Sequence, residues 1–214
     1  MTTWHARLAE LMEDWGAAVR RDGWLPGLLV VGQDLVRLPG QHVRFKVVAR
    51  SLSTPLPDLR PKVPIELRDF GPEDLDWVRQ HDSPSTARLC GRRLKLGYRG
   101  FLALHQGERI GHAWCDERPD PSLARFYEKL EPGDMVCTDA YVAPASRGLG
   151  VQTTLTAARL NWLRALGYNR AIAYIDERNE ASLAVWQKKL GAVHVADLHY
   201  VRLGPWRWVR YDER

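Results

Sequence analysis

Cysteine is scarce in this chain. Cys90, Cys115 and Cys137 are its only three, an odd set without metal-ligand spacing. That argues against a disulfide framework or a cysteine-held metal and fits a reducing compartment. Long apolar runs are missing too. Met1 to Arg20 is interrupted by Glu10, Glu13 and Asp14, so it has no signal-peptide core. No stretch approaches the roughly 20 apolar residues that cross a bilayer. Internal repeats and low-complexity tracts are also lacking. These absences lead us to expect a soluble, cytoplasmic protein with no membrane partner.

What is present is ordinary for a globular fold. The 214 residues are 45% apolar and 27% charged, enough for one core with an extension. A net charge of +5 is compatible with nucleic acid or with a polyanionic small molecule. The basic residues are scattered, however. Their densest cluster before the C-terminus is Arg92, Arg93 and Lys95, and a solvated surface explains most of them. Nucleic acid is not the expected partner.

Along the chain, His5 to Arg21 reads as a helix, with Leu8, Leu11, Met12, Trp15 and Val19 on one face. Strand-like runs follow at Leu28–Val31 and Val43–Val48. Ser51 to Pro64 carries Pro55, Pro57, Pro61 and Pro64, a stiff connector. The expected organisation is an N-terminal extension over 1–62 and a main domain over 63–214. In the latter, a strand at Ile65–Arg68 precedes a helix opened by Pro72 and running through Val78. Phe101–Leu104 and Ile110–Trp114 flank a turn at Gly107-Glu108. A strand at Met135–Val142 leads to a helix from about Gly150 to Ala165, with Val151, Leu155, Ala158 and Trp162 on one stripe. Ala171–Ile175 reads as a buried strand, Glu180–Leu190 as a helix, and Val193–Val209 as two strands around Gly204-Pro205. Strand–helix–strand units require a parallel crossover, whereas hairpins are antiparallel. The expected fold is α+β, a central mixed, mostly antiparallel sheet flanked by helices.

The segment Val142-Ala143-Pro144-Ala145-Ser146-Arg147-Gly148-Leu149-Gly150-Val151-Gln152-Thr153 carries the sharpest chemical signal. A strand ends, a glycine-bearing loop turns and a long helix begins. Unpaired N–H groups at a helix N-terminus favour an anion. Gly148 and Gly150 let backbone approach phosphate oxygens closely. Arg147 adds a cation and Thr153 a hydroxyl. An ordinary tight turn would use the same residues. The spacing fits neither a Walker loop nor a dinucleotide fingerprint.

A second constellation stands about thirty residues on, in Asn179-Glu180-Ala181-Ser182-Leu183-Ala184-Val185-Trp186-Gln187-Lys188-Lys189-Leu190-Gly191. With the first, it resembles the GNAT superfamily of N-acetyltransferases. Ala145 to Gly150 matches that family's acetyl-CoA loop, Gln/Arg-x-x-Gly-x-Gly/Ala, except that Ala145 replaces the polar first residue. Asn179 to Gly191 is similar to the following motif, N-x-x-S…Y-x-K-x-G, but is one residue longer and has Trp186 in the tyrosine's place. In element order the resemblance covers roughly Val63 to Val209.

The resemblance implies an acetyl-CoA-dependent N-acetyltransferase with CoA as product and no metal. Val142, Arg147, Gly148, Leu149, Gly150, Val151, Gln152 and Thr153 would hold the cofactor, with Asn179, Ser182 and Trp186 along its arm. The strands Met135–Val142 and Ala171–Ile175 would splay to admit the pantetheine. A backbone N–H near Tyr141 or Val142 would polarise the thioester carbonyl. Asp139 is the candidate general base, on a face shared with Cys137 and Tyr141; a surface ion pair is the alternative. Since indole is a poor acid, the general-acid role falls to Tyr141, Tyr174 or water. The acceptor is expected to be the primary amine of a small molecule, ahead of a protein amine. A non-catalytic acyl-CoA-binding module is the competing reading, and a homodimer is possible.

Other residues have plainer explanations. His81, His105 and His112 lack metal spacing. His112 and Trp114 share a strand face, where core packing or an acceptor pocket would suit them. Cys137 reads as a small buried hydrophobe. Trp206 and Trp208, interleaved with Arg207 and Arg210, suit either edge-strand packing or stacking on a sugar or base.

Overall fold

The computed structural model describes residues 41–116, 130–203 and 206–214. The expected helix His5–Arg21, the strand Leu28–Val31 and the Gly204-Pro205 turn lie outside them. Two compact units are present, residues 71–97 falling in one and the sheet in the other.

In the first unit, Pro72–Asp74 forms a 3-10 turn that continues into α1 (Leu75–His81). The turn is closed by the Asp74 carboxylate, which accepts the Gly71 N–H at 2.9 Å. A second helix, α2 (Pro84–Lys95), was not expected. Its start signal is nonetheless in the sequence. Ser83 is the N-cap, accepting the Thr86 N–H at 3.0 Å, and Pro84 occupies the first turn, where its missing N–H costs nothing.

The second unit is an eight-stranded sheet. Its strands are β1 (Gln41–Ser51), β2 (Glu66–Asp69), β3 (Arg99–His105), β4 (Glu108–Asp116), β5 (Asp134–Val142), β6 (Arg170–Asp176), β7 (Val193–Leu203) and β8 (Trp206–Glu213), in the order β2-β3-β4-β5-β6-β1-β7-β8. The β3–β4 hairpin turns on Gln106-Gly107, one residue before the expected position. Their φ angles of 52° and 81° are the left-handed pair that a two-residue hairpin demands. The β5–β6 pair is parallel, while β2–β3, β3–β4, β4–β5 and β1–β6 are antiparallel.

Two helices share one face of this sheet. On α3 (Val151–Ala165) the expected stripe turns inward, with Val151 and Leu155 buried and Ala158 and Trp162 packed on them. They meet Ala113 and Cys115 of β4, Cys137 of β5 and Ala171, Ala173 and Ile175 of β6. Each fully buried Leu here contributes about 1.5–3 kcal/mol. The opposite face gathers Val47, Ala49, Ile172, Ala196 and Leu198, with Phe45, Tyr174 and Tyr211 against them.

The helix expected over Glu180–Leu190 is not uniform. Four α-helical residues, α4 (Glu180–Leu183), pass into a π-helical turn at Ala184–Lys189. Leu190 N–H bonds to the carbonyl of Val185, five residues back, at 3.0 Å. A π turn absorbs one extra residue without breaking the helix. The additional residue noted between Asn179 and Gly191 is thereby accommodated.

The strand read in the N-terminal extension is interior to the sheet. β1 lies between β6 and β7 and pairs with β6 from Phe45↔Asp176 to Ser51↔Arg170. The Pro-rich connector is also anchored. Leu52 is buried and donates its N–H to Asn169 O at 2.9 Å, and Leu56 and Leu59 pack on the core.

Candidate active site

Ladder pairing between β5 and β6 covers only Asp134↔Arg170, Met135↔Ala171 and Val136↔Ile172. Beyond Val136 the ladder ends, in keeping with the splay that the family resemblance implies. A cavity of about 370 Å³ opens between the two strands, lined by Cys137 to Ala140 of β5, Ala173 to Asp176 of β6 and Phe45 of β1. Gln152 and Arg159 of α3 line it with Asn179, Ser182 and Trp186. Ala173 and Ile175 belong to the helix-covered face, whereas Tyr174 and Phe45 belong to the opposite one. The cavity is therefore bordered by side chains from both faces of the sheet.

A bulge in β5 shapes its wall. His112 pairs with Tyr141 and Trp114 with Thr138, leaving Asp139 and Ala140 opposite Ala113 alone. Asp139 sits at φ 38°, a left-handed conformation that a short polar side chain tolerates. The bulge overturns one expectation. Strict alternation put Cys137, Asp139 and Tyr141 on one face, but the additional residue resets the register. Cys137 stays with Cys115 under α3, while Tyr141 stacks on His112 on the other side, with ring centroids 5.7 Å apart. Asp139 is exposed at the cavity wall.

A second cavity, of about 480 Å³, adjoins the first at Ala140, Gln152 and Asn179. It runs along the start of α3 and is lined by Tyr141, Val142, Arg147, Gly148, Gly150, Val151 and Thr153. Gly148 and Gly150 have φ of 79° and 96°, conformations costly for a residue with a side chain. A Cβ on Gly148 would meet nothing within 4 Å, so open space lies over the loop; one on Gly150 would sit 3.0 Å from Pro61 Cα. Arg147 Nε donates to Val142 O at 3.4 Å. Lys189, missed in the sequence, reaches from the π turn to Thr153 Oγ1 at 3.4 Å. Arg147 and Lys189 are cations and the lining holds no carboxylate. A helix N-terminus, two cations and open backbone suit a pyrophosphate.

The remaining site residues have definite places. Leu149 packs its side chain on the core and accepts the Lys62 N–H on its carbonyl at 2.9 Å, and unlike its loop neighbours it lines neither cavity. Asn179 caps α4 by accepting the Ser182 N–H at 3.1 Å. Trp186 is 2% exposed, its indole a wall of the first cavity. Burial raises the phenol pKa of Tyr174 well above its ordinary value, with Tyr211 and Asp134 adding to it. Tyr174 thus keeps its proton at neutral pH. Phe45 and Arg159 were not singled out from the sequence, because only the sheet order and the packing of α3 bring them to the cavity.

Among the described residues, no cluster of three or more His, Cys, Asp or Glu could hold a metal ion, and no helix is long and apolar enough to cross a membrane. His112 and Trp114 are fully buried and pack on Phe70 at centroid distances of 5.7 and 5.0 Å. Trp208 is exposed on the edge strand β8.

Residues 65–192 match the model of the acetyltransferase (GNAT) family. The chain belongs to that family. Curated relatives include a mycothiol acetyltransferase of Geodermatophilus obscurus, 25% identical over 92% of this chain and 67% of the relative. One of Amycolatopsis mediterranei is 34% identical over 48% of this chain and 33% of the relative. The chain thus spans one to two thirds of these relatives' lengths. Among solved structures, a GCN5-related N-acetyltransferase from Sphaerobacter thermophilus superposes with a TM-score of 0.55 at 15% identity, covering 91% of this chain and 58% of that one. A Drosophila protein gives 0.56 at 18% identity, covering 83% and 57%. Both share the fold.

Proposed function

We propose that this chain transfers the acetyl group of acetyl-CoA to a primary amine of a small-molecule acceptor, by direct attack within a ternary complex. The observation that carries this reading is the splay of β5 from β6, which opens a cleft lined from both sheet faces next to a carboxylate-free cradle. Acetyl-CoA supplies the activated acyl group and is consumed as a substrate. Gly148, Gly150, Arg147 and Lys189 bind its pyrophosphate, with Thr153 and Gln152 at the start of α3. Asn179, Ser182 and Trp186 border its arm. The amine enters from the Phe45 and Tyr174 side.

Asp139 takes the ammonium proton, directly or through one water, so that a neutral amine attacks. Its left-handed backbone at the bulge sets the carboxylate on the cavity wall. β5 beyond Val136 has no ladder partner on β6, which frees backbone near Tyr141 and Val142 to polarise the carbonyl. As the new C–N bond forms and the C–S bond breaks, the thiolate leaves and is reprotonated. Tyr141, Tyr174 or water donates the proton, and the burial that raises the Tyr174 pKa makes that phenol the weaker donor. Similarity to mycothiol acetyltransferases favours a small acceptor of the mycothiol type over a protein amine.

Free-thiol release from acetyl-CoA, measured with the purified chain across a panel of small amines and amine-bearing thiols, tests the proposal. Turnover with at least one small amine is expected. CoA binding without turnover on any of them would favour a non-catalytic acyl-CoA-binding module instead.

A further inference from the structure

Arg159 is an unusual residue for the interior of a splayed sheet. It projects from the third turn of α3 and is 1% exposed, yet it lines the cleft. Its Nη1 donates to Trp114 O at 3.1 Å and to Thr138 O at 3.0 Å, and its Nη2 to Thr156 Oγ1 at 3.0 Å. Its Nε is buried without a hydrogen-bond partner, and no carboxylate pairs with it among the described residues. A buried charge normally demands an opposite charge or a full set of acceptors. Among the described residues it has only neutral oxygens as partners.

The two carbonyls identify its task. Trp114 and Thr138 are the cross-strand pair adjoining the bulge at Asp139 and Ala140. A bulge takes backbone groups out of the ladder, and buried carbonyls still require donors. One planar guanidinium can serve both at once.

We propose that Arg159 is a positioning residue that pins the β5 bulge through the Trp114 and Thr138 carbonyls and sets an uncompensated positive charge beside the cleft. Pinning fixes where Asp139 and the backbone of Ala140 and Tyr141 face the reacting groups. The charge favours the oxyanion and thiolate that develop there. This inference rests on the acyl-transfer reading of the cleft, but half of its test does not.

The test compares the wild-type chain with Arg159→Met and Arg159→Lys. Hydrogen exchange without ligand should show residues 137–142 of Arg159→Met exchanging about 100-fold faster, as expected for lost charge-assisted bonds. Residues 148–153 and 171–175 should hold their protection. Calorimetry should give CoA affinities within about threefold of wild type, because the cradle is untouched. Acetyl transfer should lose about 100-fold in kcat with KM for acetyl-CoA unchanged, and Arg159→Lys should recover at least about tenfold of it, since an ammonium still donates.

Uniform loss of protection across α3 and the sheet, or folded variants with unaltered exchange and turnover, would overturn the proposal. So would failure of both variants to fold, which would assign Arg159 to global stability. A wild-type chain that binds no CoA would sink the acyl-transfer reading alone, leaving the exchange data to decide whether Arg159 pins the bulge.

Discussion

Single residues at the loop and the bulge make sharply different demands. Gly148 and Gly150 both have left-handed backbones, but only Gly148 faces open space. Gly148→Glu should therefore fold, with a strain cost of about 1–2 kcal/mol, and lose at least about 100-fold in CoA affinity by calorimetry through like-charge repulsion. Gly150→Glu would also push on Pro61 and confuse binding with stability. Asp139→Asn keeps a side chain that tolerates φ 38° while removing the base. A fall of about 100-fold in kcat with an unchanged melting temperature is expected. A variant with full turnover would return the carboxylate to a surface role. Gly148 stands out in the sequence by spacing and Asp139 as a carboxylate in an apolar strand, and both line cavities. The bulge around Asp139 was not legible there, because alternation within one strand carries no record of a register shift against its neighbour.

Elements show the same division. The strand–loop–helix unit at 142–165 was readable because glycine, helix period and motif agree. The helix at Pro84–Lys95 announces itself only in Ser83 and Pro84, because Arg92, Arg93 and Lys95 interrupt its apolar period. The π turn was legible only as an unexplained additional residue. Arg159 lay hidden in a helix whose stripe was read from its apolar members alone.

Ion pairing between elements gives a further prediction. Asp197 of β7 is 5% exposed. It meets His194 at 3.1 Å, Arg214 at 3.1 Å and Arg44 of β1 at 3.6 Å. Burial would raise its pKa, but Arg214, Arg44 and, when protonated, His194 more than offset that and hold the carboxyl below its ordinary value. Stability from this group is thus present above the unfolded carboxyl pKa of about 3.9 and disappears as pH falls through the lower folded value. Asp197→Asn should lower the melting temperature wherever the wild-type carboxylate is ionised. The gap from wild type should narrow below about pH 4 in thermal melts. A gap that is constant with pH would show that charge is not what Asp197 contributes.

At the scale of the whole molecule, the sheet draws on distant parts of the chain. β1 was read as part of an extension because a Pro-rich connector follows it, yet it lies between β6 and β7 and brings Phe45 to the cleft. No local pattern announces which strand will be its neighbour. The matched family region, 65–192, does not include it. This placement has a temporal consequence. On the ribosome, residues 41–51 emerge roughly 120 residues ahead of the strand they pair with, a wait of about 6–24 s at ordinary synthesis rates. Pairings this remote form slowly and after local ones. Docking of β1 should therefore follow the nucleation of the β3–β4 hairpin and of β5–α3–β6. Val48→Ala, at a fully buried β1 position, should mainly accelerate unfolding and leave the refolding rate nearly unchanged in stopped-flow experiments. A matching fall in the refolding rate would place β1 in the nucleus. Until it docks, the nascent chain carries an open β6 edge and lacks the Phe45 side of the cleft, so the cleft is completed only once the chain through Trp186 has left the ribosome and β1 has joined β6.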